Sequence, residues 1–188
     1  MYLFFDTETT GLPSNWRAPY TDTRNWPRIV QLAWVLADEQ GRVVSEHNFI
    51  IQPDDFTIPA ESAEIHGITT AVAQEKGIPL AEALEKFLTD EALAETIVAH
   101  NISFDINVVA CECVRLEEQL RWLETTQYCT MQRATPFCKL PGRYGYRWPK
   151  LIELHEILFE KPFSSQHDAL ADVRACKRCF FALRKELE

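Results

Sequence analysis

The chain has 188 residues, of which 46% are apolar, 11% aromatic and 25% charged, and its formal net charge is −9. Apolar content this high excludes a mainly disordered chain, and a domain of this length buries roughly 70% of the surface its unfolded form exposes. The sequence holds no run of ~18 apolar residues, which excludes a spanning helix. The excess of acid argues against a protein that coats long duplexes through a basic surface.

Met1-Tyr2-Leu3-Phe4-Phe5 runs straight into Asp6 without a basic leader or a small-residue cleavage site, as expected of an unprocessed, cytoplasmic start. Tyr2 to Phe5 is a short apolar strand that ends in the polar tip Asp6-Thr7-Glu8. Ile29 to Ala37 and Arg42 to Gln52 are β-rich and flank the turn Asp38-Glu39-Gln40-Gly41, which reads as a hairpin. Pro59 to His66 opens helical text that Gly67 breaks, and Pro79 to Leu88 has apolar residues at helical spacing. Thr96 to His100 is too short for a helix and reads as a buried strand, followed by an amphipathic stretch from Ile102 to Leu123. Gln127 to Met131 is expected to be a last edge strand, and Leu151 to Phe159 and Ala169 to Leu187 are expected helices. No repeat, low-complexity segment or linker divides the chain, so residues 1–188 are expected to form one α/β domain, a mixed sheet with helices on both faces.

The cysteines (Cys111, Cys113, Cys129, Cys138, Cys176 and Cys179) lack the paired-knuckle spacing of a structural zinc site. Cys176 and Cys179 fall in an amphipathic helix, where core packing is the expected role, and disulfides are not expected in a cytoplasmic chain.

Three clusters can carry chemistry. Asp6 and Glu8 sit at i and i+2 of a strand and therefore face one side. Side by side beside apolar residues they repel, a conflict that a divalent cation removes. The bland alternative is a solvated strand end; the following Thr9-Thr10-Gly11-Leu12 lets backbone approach a ligand. In the second cluster a strand ends in the hinge His100-Asn101, and Asp105 lies in the first turn of the next helix. A favourable interaction with the helix N-terminus would explain Asp105 without a metal. The third is His167-Asp168-Ala169-Leu170-Ala171-Asp172, in which His167 precedes a helix and Asp172 lies about one turn inside it. Histidine accepts a proton from water near neutrality, although an ordinary surface histidine is the commoner state, and Asp168 suits a helix cap.

Taken in order, Phe5-Asp6-Thr7-Glu8-Thr9-Thr10-Gly11-Leu12, His100-Asn101-Ile102-Ser103-Phe104-Asp105 and His167-Asp168-Ala169-Leu170-Ala171-Asp172 resemble the three motifs of the DEDDh exonucleases. The proofreading (epsilon) subunit of bacterial DNA polymerase III is of this family. Ala63-Glu64-Ile65-His66-Gly67-Ile68-Thr69 resembles its substrate-side loop, so the likeness runs from about Tyr2 to Leu183. The resemblance implies a ribonuclease-H-like fold and two Mg²⁺ or Mn²⁺ ions per site. Asp6 would bridge both ions, Glu8 and Asp172 would complete one, and Asp105 would hold the other directly or through water. His167 would be the general base. Thr9, Gly11 and Leu12 would meet the terminal nucleotide, Leu12 wedging against its base, with His66, Asn101 and Phe104 also in contact.

The implied activity is metal-dependent 3′→5′ hydrolysis at 3′ ends of single-stranded nucleic acid, DNA favoured over RNA, releasing nucleoside 5′-monophosphates. A polymerase or a replication or repair partner is compatible with it, although no clamp-binding tail follows the last helix and a free-standing nuclease is favoured. No residue fixes the oligomeric state. Two alternatives fit parts of the pattern. A His-Asp phosphohydrolase would draw on His167-Asp168 and His155 but needs an all-helical fold, and a silent scaffold of this fold should have lost a carboxylate or the histidine. Finally, Thr126 to Lys150 contains no acid yet holds Arg133, Lys139, Arg143, Arg147 and Lys150 among Tyr144, Tyr146 and Trp148. Aromatics stack on bases while cations follow phosphates, so Arg143, Tyr144 and Arg147 are expected contacts of a single strand; an ordinary loop with its aromatics tucked in is the alternative.

Overall fold

The computed structural model describes residues 1–118, 124–164 and 167–187. Five strands form the main sheet: β1 (Tyr2–Thr9), β2 (Ile29–Ala37), β3 (Val43–Ile50), β4 (Thr96–Ala99) and β5 (Thr126–Cys129). Their order is β3-β2-β1-β4-β5, with β1 in the middle. β2 is antiparallel to β1 and β3, whereas β4 is parallel to β1 and β5.

The period-two alternation of β1 sorts its side chains between two cores. Leu3 and Phe5 join Leu32, Trp34 and Ile97 on one face, against α3 (Leu80–Glu91) and α4 (Ile102–Arg115). Phe4 joins Ala33, Val35 and Val98 on the other, against Val173, Cys176 and Phe180 of α7 (Ala169–Leu187). All nine residues of β2 are buried, as a strand covered on both faces requires. The expected α/β, ribonuclease-H-like mixed sheet with helices on both faces is therefore what the chain forms.

Shorter elements fill the periphery. α1 (Ala60–His66) and α2 (Thr70–Lys76) cover Val30 beside Ile58 and Ile68. Gly67 ends α1 at φ 76°, a left-handed conformation that favours glycine, and its N–H donates to Ala63 O at 2.8 Å. α5 (Thr130–Cys138) and α6 (Leu151–Phe159) pack on α7 through Ala134, Leu154, Cys179 and Leu183. The small hairpin of β6 (Pro141–Gly142) and β7 (Gly145–Tyr146) joins them. Cys176 and Cys179 are buried in these cores. Among the described residues no helix is long and apolar enough to cross a membrane.

Three boundaries differ from the sequence reading. β1 continues through Asp6, Thr7 and Glu8 to Thr9, because β2 pairs with each of them, opposite Ala33, Leu32 and Gln31. The expected edge strand stops at Cys129; Met131 belongs to α5, where Met131 and Ala134 bury on one helical face. α4 ends at Arg115, and Glu117 adopts a left-handed φ of 58° two residues on; residues 119–123, to which the predicted helix extended, lie outside the described residues.

Candidate active site

Asp6 and Glu8 continue the face of β1 that begins with Phe4, so they point toward α7. The start of α7 is fixed by two side-chain caps. Asp168 Oδ1 accepts the Ala171 N–H at 3.0 Å, and Gln31 Oε1, opposite Glu8 in the sheet, accepts the Ala169 N–H at 3.2 Å. One turn along the helix, Asp172 Oδ2 accepts the His167 N–H at 3.0 Å. His167 itself is exposed and left-handed, with φ 63°. Ligand atoms of Glu8, His167 and Asp172 all lie within 4.8 Å of one another.

Asp105 arrives from the other side of the sheet. β4 ends at Ala99, Asn101 turns the chain at φ 74°, and α4 begins at once. Asparagine tolerates that conformation better than most residues. Asp105 is then 2% exposed, and its Oδ1 accepts the Thr7 N–H at 3.1 Å and the Thr7 hydroxyl at 2.8 Å. Thr7 lies between the paired carboxylates in sequence and locks the fourth one beside them.

Loss of water and mutual repulsion act on all four acids. Burial, reinforced by Asp172, Asp105 and Asp168, raises the Glu8 carboxyl to about 8. Burial raises Asp105 to about 7 against the opposing Thr7 hydrogen bonds, and Asp172 to about 6 against the His167 N–H. Asp6 is pushed well above the usual carboxylate range by burial and then by Asp105, Asp172 and Glu8. The charges acting on these groups are other carboxylates, and that is the electrostatic condition a bound cation relieves. An oxygen-rich donor set with one imidazole fits a hard divalent ion such as Mg²⁺ or Mn²⁺.

Two cavities flank the cluster. The smaller, of about 220 Å³, is lined by Glu8, Thr9, Gly11, Leu12, Ile65, His66 and Phe104. Gly11 holds φ 145°, a conformation side chains rarely adopt, and Thr9 Oγ1 donates to its carbonyl at 2.7 Å. Leu12, next in the chain, is left 71% exposed. His66 Nδ1 accepts the Ile68 N–H at 3.1 Å, so in the neutral ring Nε2 carries the proton, and it has no hydrogen-bond partner. Burial holds the His66 pKa below its usual value, with the Thr9 main chain opposing and His167 adding to the effect.

The larger cavity, of about 430 Å³, is lined by Asp6, His167 and Asp172 together with Met131, Trp148, Lys150 and Phe163. The structure thus gathers Asp6, Glu8, Asp105, His167 and Asp172 and places Thr9, Gly11, Leu12, His66 and Phe104 along one cavity. Asn101 forms the turn before α4 and lines neither cavity. Arg143 and Tyr144 sit in the β6–β7 hairpin, outside both. Arg147 is held in a bidentate ion pair with Glu153, at 2.8 and 2.5 Å. Sequence reasoning passed over Thr7, Gln31 and His100, whose roles appear only through partners distant in the chain. The His-Asp phosphohydrolase alternative falls: the fold is a mixed sheet, Asp168 caps a helix, and fully buried His155 hydrogen-bonds Lys161 O through Nδ1 at 2.8 Å.

A five-stranded mixed sheet that gathers four desolvated carboxylates at the ends of β1, α4 and α7 defines a carboxylate-cluster domain of ribonuclease-H-like fold. The chain belongs to the exonuclease family of the RNase T type, whose sequence profile matches residues 3–180. Its fold is similar to that of E. coli exonuclease I in complex with a dA16 oligonucleotide (TM-score 0.72, 22% identity, 98% of this chain and 40% of that one). The zinc-bound E. coli exonuclease I–ssDNA complex is similar too (0.71, 22%, 100% and 40%). So is exonuclease I from Methylocaldum szegediense (0.69, 26%, 98% and 40%). The chain spans about 40% of the length of those exonuclease I chains. No curated protein sequence matches it.

Proposed function

We propose that this chain is a DEDDh-type 3′→5′ exonuclease domain that removes nucleoside 5′-monophosphates from the 3′ ends of single-stranded nucleic acid, DNA before RNA. One observation carries the reading: Asp6, Glu8, Asp105 and Asp172, with His167 at their edge, converge where the charges acting on them are one another's. Membership of the exonuclease family and the ssDNA bound by similarly folded exonuclease I support it.

Asp6, Glu8, Asp105 and Asp172 would hold two Mg²⁺ or Mn²⁺ ions, Asp105 with only Oδ2 unengaged because Thr7 occupies Oδ1. Such ions, when bound, supply positive charge to the phosphodiester and lower the pKa of an attacking water. The side chains do the rest. His167, exposed at the rim, accepts the proton of the attacking water as general base. Asp172 keeps His167 in place through the main-chain N–H, and Gln31 and Asp168 fix the helix start that carries both. Leu12 and Phe104 give the terminal base an apolar wall, and the unpartnered His66 Nε2–H is a donor to the same nucleotide.

The test uses 5′-labelled DNA and RNA strands of one sequence, incubated with Mg²⁺, Mn²⁺ or EDTA, for wild type and Asp6→Ala. A ladder shortening from the 3′ end, abolished by EDTA and by Asp6→Ala, is expected, faster on DNA. No shortening of either strand with either metal refutes the reading and returns the silent scaffold to first place.

A further inference from the structure

The segment from Pro141 to Lys150 is unlike the rest of the surface. Tyr144 is 90% exposed, and Tyr146 and Trp148 are more than half exposed. Exposed aromatics clustered this closely mark an interaction site more often than a solvated loop. They stand within an acid-free stretch, Thr126 to Lys150, of a chain whose net charge is −9.

The segment is also rigidly mounted. The Arg147 N–H donates to Leu140 O at 2.9 Å, closing the β6–β7 hairpin. Glu153 accepts the Arg147 guanidinium and, at 2.8 Å, the Lys150 N–H. His100 supplies the last anchor. Pro149 O can only accept, so His100 Nε2 donates to it at 3.0 Å, and Nδ1 accepts the Thr130 hydroxyl at 3.0 Å. Burial lowers the His100 pKa to about 4, so the ring stays neutral and keeps this tautomer. Trp148 and Lys150 on either side of Pro149 are thereby held in the wall of the cavity that contains Asp6, His167 and Asp172. Trp148 follows Tyr144 by four positions, a reach of at most about 13 Å of extended chain.

We propose that this mounted segment is the path of the strand 5′ to the scissile phosphate. The upstream base stacks on Trp148, Lys150 meets its phosphate, and Tyr144 with Arg143, whose guanidinium lies 5.1 Å from the Tyr144 ring, takes the bases beyond. The occupant is a single strand rather than a protein: the path combines cations with exposed ring faces and opens onto the carboxylates. Arg147, consumed by Glu153, is a positioning residue and not a phosphate ligand. The proposal rests on the exonuclease reading and adds a determinant of substrate length.

The test measures kcat and KM with Mn²⁺ for single strands from dinucleotide to dodecanucleotide, together with anisotropy binding of the 5′-labelled dodecanucleotide in EDTA. Wild type is compared with Trp148→Ala, Tyr144→Ala and Arg143→Ala/Lys150→Ala; the substituted side chains are exposed, so the fold is kept. Trp148→Ala should raise KM and weaken binding of long strands roughly 5- to 100-fold, the worth of one base–aromatic stack. The double variant should flatten the salt dependence of binding, by about 0.7 in log–log slope for each phosphate left without its cation. An active wild type whose KM and binding for the dodecanucleotide are untouched by all three variants overturns the path. A wild type inactive on every length refutes the exonuclease reading instead, and the binding arm still decides whether strands follow this segment.

Discussion

Replacing Glu8 with glutamine tests whether the carboxylates are desolvated as the fold implies. The substitution keeps the volume and removes the charge. The Glu8 carboxyl rises from 4.5 to about 8 on folding. At about 1.4 kcal/mol per pH unit, ionising it in the folded state is unfavourable by on the order of 4–5 kcal/mol. Asp172 and Asp105 protonate in the same range and relieve one another, which leaves on the order of 2–4 kcal/mol for Glu8 itself. A carboxyl with a raised folded-state pKa binds more protons folded than unfolded between the two values, so stability falls as pH rises from about 4.5 through 8. His66, His100 and His155, whose pKa values are lowered by burial, act oppositely but have lost their protons in both states above about pH 7. The assay is thermal unfolding in EDTA between about pH 7 and 9, wild type against Glu8→Gln, the difference cancelling groups common to both. Glu8→Gln should melt higher at the alkaline end, by roughly 5–15 °C for a domain of this size, and Mg²⁺ should restore wild type. Equal melting of the two proteins across the range would mean that Glu8 is solvated, and the electrostatic argument for a cation would fail.

Other substitutions separate the roles. His167→Ala should retain metal binding by calorimetry yet lose most turnover; full activity at neutral pH in the variant would remove His167 from catalysis. Thr7→Val deletes the hydroxyl bond to Asp105 Oδ1 and leaves the main-chain bond. Asp105 should then titrate higher still, stability should fall by about 1 kcal/mol in urea unfolding, and activity should recover at raised Mn²⁺. Farther along α4 from Asp105, fully buried Glu112 accepts Arg28 Nε at 3.0 Å, Arg115 Nη1 at 3.2 Å and the Ile29 N–H at 3.0 Å. Glu112→Gln breaks that buried network and should reduce unfolding free energy by about 3–5 kcal/mol in urea unfolding.

Much of the carboxylate side was legible because it follows from periodicity. The alternation that sends Leu3 and Phe5 to one core and Phe4 to the other also decides that Asp6 and Glu8 face α7. Asp105 and Asp172 follow from where the helices begin, and the apolar text marks those points. What stayed hidden depends on partners far along the chain. Nothing near Gln31 in sequence says that it caps a helix starting at Ala169, nor near His100 that it holds Pro149. α5 is short, contains Pro136 and follows a strand without a break, so its first residues read as more strand. The pairing of Arg147 with Glu153 was equally invisible, and a cation counted by composition as a phosphate ligand is already neutralised.

The two sides of the site are therefore built by different physics. Asp6, Glu8, Asp105 and Asp172 are placed by elements whose cores are buried on both faces of the sheet, so moving any of them means disturbing Phe4, Val98 or Val173 on one face or Phe5, Ile106 or Val109 on the other. Trp148, Lys150 and the hairpin hang instead on a few polar anchors: one imidazole, one carboxylate and one hairpin bond. A change in those anchors leaves the two main cores intact, whereas a change in a core residue disturbs the carboxylates directly. It follows that substitutions between Pro141 and Lys150 should alter which strands are cut while sparing the chemistry. Substitutions along the Phe4 face of β1 should abolish cutting of every strand alike.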